Sequence, residues 1–351
     1  MPRGHDLSCC DPNESPWNGK DFRRRTVLKG AAALAGSLAV APVRARAQGK
    51  SIKLAFCSQL LCIIPYTIAK AQGFYEKEGL NLELVYARGG GAAMEAFVGG
   101  AVDYGATALD VALTAYDKGA SIRRFLSTGK LPLFALAVAP KMAGQITTLK
   151  DLAGKTVGVS GLGNADHALA LFLLKQAGVD SSKVQFATLG PNLLEALRQG
   201  AVDAGLVQEP ALTLIVKAGG RVLVNAMDAD DARKYLGGNY EFMGVAVRTP
   251  EIPVRREEMK ALGRALQSGL TAVQTLSPDD LVKSLPPEMT TGADTGQMRD
   301  ILARYRTSLY PASVKIDLVA ANRVALSLKA AGLLAPNADP SGLYDTSIAG
   351  G

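Results

Sequence analysis

Glu95-Ala96-Phe97-Val98-Gly99-Gly100-Ala101-Val102-Asp103-Tyr104-Gly105 returns one hundred residues later as Glu195-Ala196-Leu197-Arg198-Gln199-Gly200-Ala201-Val202-Asp203-Ala204-Gly205. Counted from Met94 and Leu194, seven of twelve positions agree, which chance could nearly supply in a chain rich in Ala and Gly. The flanks decide the reading. Each copy follows a short apolar strand, 52–57 in one case and 156–160 in the other. Each reads as an amphipathic helix, a glycine stop and a buried strand. Two α/β lobes of one plan are therefore expected, with a cleft between them. Asp103 and Asp203 are expected to serve turns, and function to lie just beyond each copy.

A chain of 351 residues can bury two cores, and 48% hydrophobic with 20% charged residues is ordinary for a globular protein. The net charge of +7 suggests a nucleic-acid partner at first sight, but the first 47 residues hold eight Lys or Arg against four Asp or Glu. The remainder carries 31 basic and 28 acidic side chains, so the basic-patch reading loses its support and no nucleic acid is expected. Residues 1–47 read as an export signal: Arg23-Arg24-Arg25-Thr26-Val27-Leu28-Lys29, an Ala/Gly-rich apolar segment too short to span a bilayer, then Ala45-Arg46-Ala47 as a cleavage site. The motif resembles the twin-arginine type, with Val27 where Phe is usual. Cleavage after about Ala47 would leave Cys57, Cys62, His167 and no Trp. Cys57 and Cys62 could pair in an oxidising compartment. Two buried thiols are the favoured reading, since Cys packs as a compact hydrophobe and a short loop makes disulfide geometry demanding.

The chain then alternates strands and helices: strands at 52–57 and 80–87, a helix from about Tyr66, the first copy of the repeat, and an apolar run at 131–139 that leaves the first lobe for the second. The second lobe repeats the plan from Thr156, and 242–247 reads as the return crossing. From Arg255 onward the pattern is helical. The expected division is 48–136 with 242–351 as a discontinuous first lobe and 137–241 as the second, joined by a hinge of two strands that permits rigid-body closing.

Four stretches resemble one family: residues 69–80 (AKAQGFYEKEGL), 100–107 (GAVDYGAT), 151–159 (DLAGKTVGV) and Gln208-Glu209-Pro210. In order and spacing they are similar to solute-binding proteins of ABC importers, in the branch of sulfonate, taurine, nitrate and thiamine-pyrimidine binders (SsuA/THI5-like, NMT1). The resemblance implies a two-lobed type II periplasmic-binding-protein fold, α/β in class, that captures a small-molecule solute in the periplasm and delivers it to an ABC permease in the inner membrane. Together with the signal it implies passage through the twin-arginine export machinery and a monomer in the periplasm.

In open α/β sheets ligands collect beyond the carboxyl ends of strands, so five loops supply the candidate site residues. The loop after the first strand offers Gln59 and Tyr66, the latter either facing a planar ligand or buried at a helix start. Arg88-Gly89-Gly90-Gly91 offers Arg88 for an anion and Gly90 for close backbone approach, or is simply a flexible turn. Thr107 and Asp110 either face the cleft or only cap the helix that follows. Ser160 and Asn164 precede a helix start suited to an anionic group. Gln208 stands where relatives often carry an aromatic residue, and Glu209 either accepts hydrogen bonds from a cationic part of the solute or serves a turn. No catalytic residue, metal or cofactor is expected, and an anionic solute such as a sulfonate, taurine or nitrate is the favoured ligand class. The alternatives are a pyrimidine-precursor binder, an enzyme of desulfinase type with Cys62 as nucleophile, or a sensor that docks on a membrane receptor.

Overall fold

The structure, a computed structural model, describes residues 51–57, 60–291 and 293–349. The expected export signal lies outside them. The first sheet is assembled from β1 (Ile52–Cys57), β2 (Leu82–Ala87), β3 (Tyr104–Ala108) and β4 (Ile122–Ser127), with α1 (Leu60–Ala71), α2 (Phe74–Lys77), α3 (Gly90–Val98) and α4 (Leu109–Asp117) between them. The chain then crosses into β5 (Ala135–Val138) and builds a second sheet with β6 (Thr156–Val159), β7 (Gln185–Thr188), β8 (Ala204–Val207) and β9 (Arg221–Asn225). Helices α5 (Ala165–Gln176), α6 (Leu193–Gln199), α7 (Ala211–Lys217) and α8 (Ala229–Leu236) accompany it. Strand β10 (Met243–Arg248) returns to the first sheet. Helices α9 (Ile252–Thr275), α10 (Pro278–Lys283), α11 (Pro287–Thr290), α12 (Thr295–Leu309) and α13 (Leu318–Ala330) complete the chain.

The two sheets have one topology. Their orders are β2-β1-β3-β10-β4 and β7-β6-β8-β5-β9, and in each the fourth strand is antiparallel to both neighbours. That strand is in each case the one that has just crossed from the other lobe, and each carries a register shift halfway along. Because β5 lies wholly in the second sheet, the outward crossing is complete before Ala135, a little earlier than the pattern of apolar residues suggested.

The repeat is the shared joint of this plan. Gly100 and Gly200 stop their helices at φ 81° and 72°, a region costly to any residue with a Cβ. The Asp103 carboxylate accepts the Lys53 N–H at 2.8 Å, and Asp203 accepts Thr156 N–H at the same distance. Each Asp also donates its own N–H to that partner's carbonyl at 2.9 Å. Asp103 therefore clamps the start of β1 and Asp203 the start of β6. Gly105 and Gly205 let helix and sheet approach: a Cβ there would fall 2.7 Å from the Phe97 ring and 2.9 Å from Leu193.

Helix α1 begins at Leu60, six residues before the sequence suggested, with Pro65 inside it. A proline there removes the N–H that would bond Leu61 O. Tyr310, beyond α12, supplies its hydroxyl to that carbonyl instead, at 2.8 Å. No short-range pattern could announce a partner 249 residues away. Cys57, closing β1, and Cys62, in the first turn of α1, form a disulfide across a Cα separation of 6.4 Å, so the two-thiol reading does not hold. The early helix start brings the second sulfur back over the strand end. Among the described residues no helix is long and apolar enough to cross a membrane.

Candidate functional site

Between the sheets, where the carboxyl ends of β1, β2, β3, β6 and β8 converge, lies a narrow cavity of about 30 Å³. Its floor is made by the crossings. Phe134, just before β5, packs edge-on against Phe242, just before β10, with ring centroids 5.9 Å apart. The Cys57–Cys62 disulfide, Val111 and Met243 add apolar surface. Gly90, Thr107, Ser160, Asn164 and Gln208, all expected from the sequence, meet here from both lobes.

The other expected residues stand elsewhere. Gln59 lies outside the described residues. Tyr66 is buried in the first lobe, stacked on Phe56 with its hydroxyl 2.7 Å from Thr128 Oγ1, and burial pushes its pKa up to about 12. Arg88 is exposed beyond the cavity. Asp110 is buried under the start of α4, where Tyr240 donates its hydroxyl at 2.9 Å and desolvation lifts the carboxyl to about 6. Glu209 points away, toward a separate hollow beside Asn225 and Arg304, and its carboxylate accepts the Thr213 N–H at 3.0 Å in the first turn of α7. Its peptide bond to Pro210 is cis. His167 packs edge-on against Phe186 and accepts the Gly163 N–H, consistent with a packing role.

Some of the groups at the helix starts and loops around the cavity are already engaged. Asp166, fully buried, accepts both the N–H and the hydroxyl of Ser160, and burial raises its pKa against the downward pull of those bonds. Asn164 donates to Ser160 Oγ at 3.0 Å and accepts the Gly91 N–H at 3.2 Å, which ties the second lobe to the first. The glycine run makes room for this side chain: a Cβ on Gly91 or Gly161 would fall within 3 Å of the Asn164 amide. At α4, the Leu109 N–H is taken by Phe242 O at 2.8 Å.

Two polar side chains in the wall are not engaged. Thr107 Oγ1 is buried without a protein partner, and so are both the oxygen and the nitrogen of the Gln208 amide. Unpaired buried polar groups are rare and costly, so three at one cavity make it the candidate binding site. The larger hollows elsewhere on the surface, 290 to 480 Å³, contain no such atoms in their linings.

A residue that sequence reasoning missed holds this wall in place. Arg124 on β4 is completely buried. It donates to Thr107 O at 3.0 Å, Phe242 O at 2.7 Å and Glu241 Oε1 at 3.3 Å. Its guanidinium occupies the space a side chain at Gly244 would need. One buried cation thus fixes the end of β3 and the returning crossing together. Phe134, Phe242 and Met243 were also missed as lining residues, although the expected crossings at 131–139 and 242–247 contained them. Among the described residues no group of His, Cys, Asp or Glu comes together as a metal site.

A family model described as NMT1/THI5 like matches residues 62–279, well over half of the chain. The chain belongs to the NMT1/THI5-like family. No curated protein sequence matches it. Among solved structures it is similar to a protein of Bordetella bronchiseptica RB50, at 23% identity over 86% of this chain and 96% of that one, with a TM-score of 0.76. It is also similar to a Candida albicans protein described as having the generic periplasmic binding protein fold (17%, 84% and 96%, TM-score 0.68). A third is the alkanesulfonate-binding protein SsuA of Xanthomonas axonopodis pv. citri bound to MOPS (18%, 85% and 98%, TM-score 0.67). At these identities the likeness establishes the fold: this NMT1/THI5-like protein has the two-lobed periplasmic-binding-protein architecture that its sequence resemblance implied.

Proposed function

We propose that this protein is the solute-binding component of an ABC importer, exported by the twin-arginine route, that takes a small organic solute between its lobes in the periplasm and presents it to a membrane permease. The observation that carries the reading is the pairing of unpartnered buried polar atoms from both lobes, Thr107 from the first and Gln208 from the second, in one cavity over a two-strand hinge. A solute that meets both lobes favours the form in which they are together. The disulfide supports an oxidising compartment. It also weighs against the enzyme alternative, because a sulfur of Cys62 bonded to Cys57 is not a thiolate nucleophile. The expected division into residues 48–136 with 242–351 and 137–241 is the pair of bodies that would move.

A thermal-unfolding screen of the purified chain against neutral, cationic and anionic small solutes tests the reading. A true ligand at a hundredfold its Kd adds about 2.7 kcal/mol to the folded state. A chain that no solute stabilises is not a solute-binding protein. An alkanesulfonate, as held by the Xanthomonas neighbour, would require charge compensation in this cavity, which leads to the question of solute class.

A further inference from the structure

We infer that the solute is uncharged and carries a donor and an acceptor side by side, as an amide, lactam or urea does, and that Gln208 reads that edge by pairing both of its amide atoms with it. The inference rests on the solute-binding reading above and departs from the anionic solute that the family resemblance suggested.

Charge is the first argument. Among the described residues no Lys, Arg or His lines the cavity. Arg124, the one buried Lys or Arg among the described residues, directs both terminal nitrogens to Glu241 and two carbonyls beneath the wall, with its Nε unpartnered. Without a cationic side chain, an anion would depend on free backbone N–H groups at helix starts. Part of that donor set is already used. The Ser160 N–H serves Asp166, the Gly91 N–H serves Asn164, and the Leu109 N–H serves Phe242 O. Asp166 is itself a carboxylate in the lining, so an anionic head would sit beside a like charge in a desolvated space.

The unpartnered atoms supply the second argument. A cavity for an anion would present donors alone. Gln208 presents a donor and an acceptor a bond angle apart, both buried and both without a partner. The group that satisfies both at once is another donor–acceptor edge, in a two-point pairing. Thr107 Oγ1, which can donate or accept, adds a third point from the opposite lobe. The rest of the wall, with Phe134, Phe242, Met243 and the disulfide, suits an apolar body behind that polar edge. Sites built on hydrogen bonds of this kind reject analogues that leave their buried groups unpaired.

The test uses shape-matched probes on the full chain: benzamide, benzamidine, benzoate and benzenesulfonate, with propionamide, propionate and propanesulfonate as the aliphatic set, each titrated by calorimetry. The expected result is that the amides bind at least tenfold more tightly than their carboxylate and sulfonate partners. Gln208→Met should weaken amide binding by tenfold or more. Gln208→Glu, which replaces the donor by a carboxylate oxygen, should exchange the preference from benzamide to benzamidine, a gain that only a folded variant can show. Preference of the unaltered chain for the carboxylates or sulfonates would overturn the inference while leaving the solute-binding reading intact, as would an unchanged benzamide affinity in Gln208→Met. Failure of every probe, together with failure of every solute in the wider thermal screen, would overturn both.

Discussion

Residues 95–105 and 195–205 perform one mechanical task with nearly the same parts, while the residues directly after them share almost nothing. Up to the glycine that lets the helix lie on the sheet, the two lobes are interchangeable in plan. Beyond it, the first lobe enters α4 at once after Thr107 and Ala108. The second has Gln208 there and then inserts Glu209 and a cis-proline before α7 begins. Gln208 stands in register with Ala108, so the side chain offered to the cavity by one lobe is a methyl group in the other. The comparison separates what a lobe needs to fold from what a site needs to recognise.

The lobes differ also in how their joint is reinforced. In the first, Asp103 meets Arg255 of α9, which also holds Glu251 and Glu258. In the second, Asp203 forms no ion pair among the described residues. The first lobe has in addition the buried Arg124–Glu241 pair, the one ion pair among the described residues with both side chains fully buried.

Three sets of substitutions would break or sharpen this contrast. The largest effect is expected at Arg124, which has no counterpart in the second sheet. Arg124→Met should cost about 3–5 kcal/mol in urea unfolding, because Glu241 is left charged and buried. Adding Glu241→Leu should recover much of that loss, and a double variant no better than the single would refute the account. Next come the two repeat glycines. Gly105→Val and Gly205→Val each force a side chain into helix–sheet contact, and each should destabilise by about 2–3 kcal/mol. A large cost at one position with none at the other would show that the joints are not equivalent. The smallest effect is the difference between Asp103→Ala and Asp203→Ala. Both lose the clamp on a strand start, about 1–2 kcal/mol, and Asp103→Ala loses the partly buried Arg255 contact as well, about 1 kcal/mol more. Equal midpoints for the two variants would mean that the ion network around α9 contributes nothing.

The fold was legible because its signals are local. The repeat, the glycine stops, the alternating strands and the apolar crossings at 131–139 and 242–247 all lie within windows of a dozen residues. The site was legible in its loops and obscure in its orientations. Thr107, Ser160, Asn164 and Gln208 lie where the strand-end rule placed them. Glu209 is adjacent to Gln208 in sequence, yet consecutive residues leaving a strand face opposite ways, and its carboxylate serves a helix start on the far side. Arg124, in Ile122-Arg123-Arg124-Phe125, looks like a solvent-facing charge until the returning strand supplies the carbonyls and the Glu241 carboxylate that receive it. Pro65 leaves the Leu61 carbonyl to Tyr310, and the pairing of Cys57 with Cys62 depends on where α1 begins. For Arg124 and Pro65 the missing information is a partner distant along the chain; for the cysteines and Glu209 it is the exact start and facing of a local element.

The Gly91–Asn164 contact has a consequence for how such a molecule would report its contents. At the cavity a single half-buried hydrogen bond joins the two sides among the described residues, worth about 1 kcal/mol and replaceable by water when the sides part. A bias of that size alters the balance of shut and parted forms by about fivefold. By itself it is too weak to lock an unloaded molecule. On the function proposed above, the background that a permease meets from unloaded molecules would be set in part by a glycine–asparagine contact, beside the Asn225–Tyr305 and Ser308–Met227 bonds away from the cavity, and the signal by whatever Gln208 and Thr107 hold.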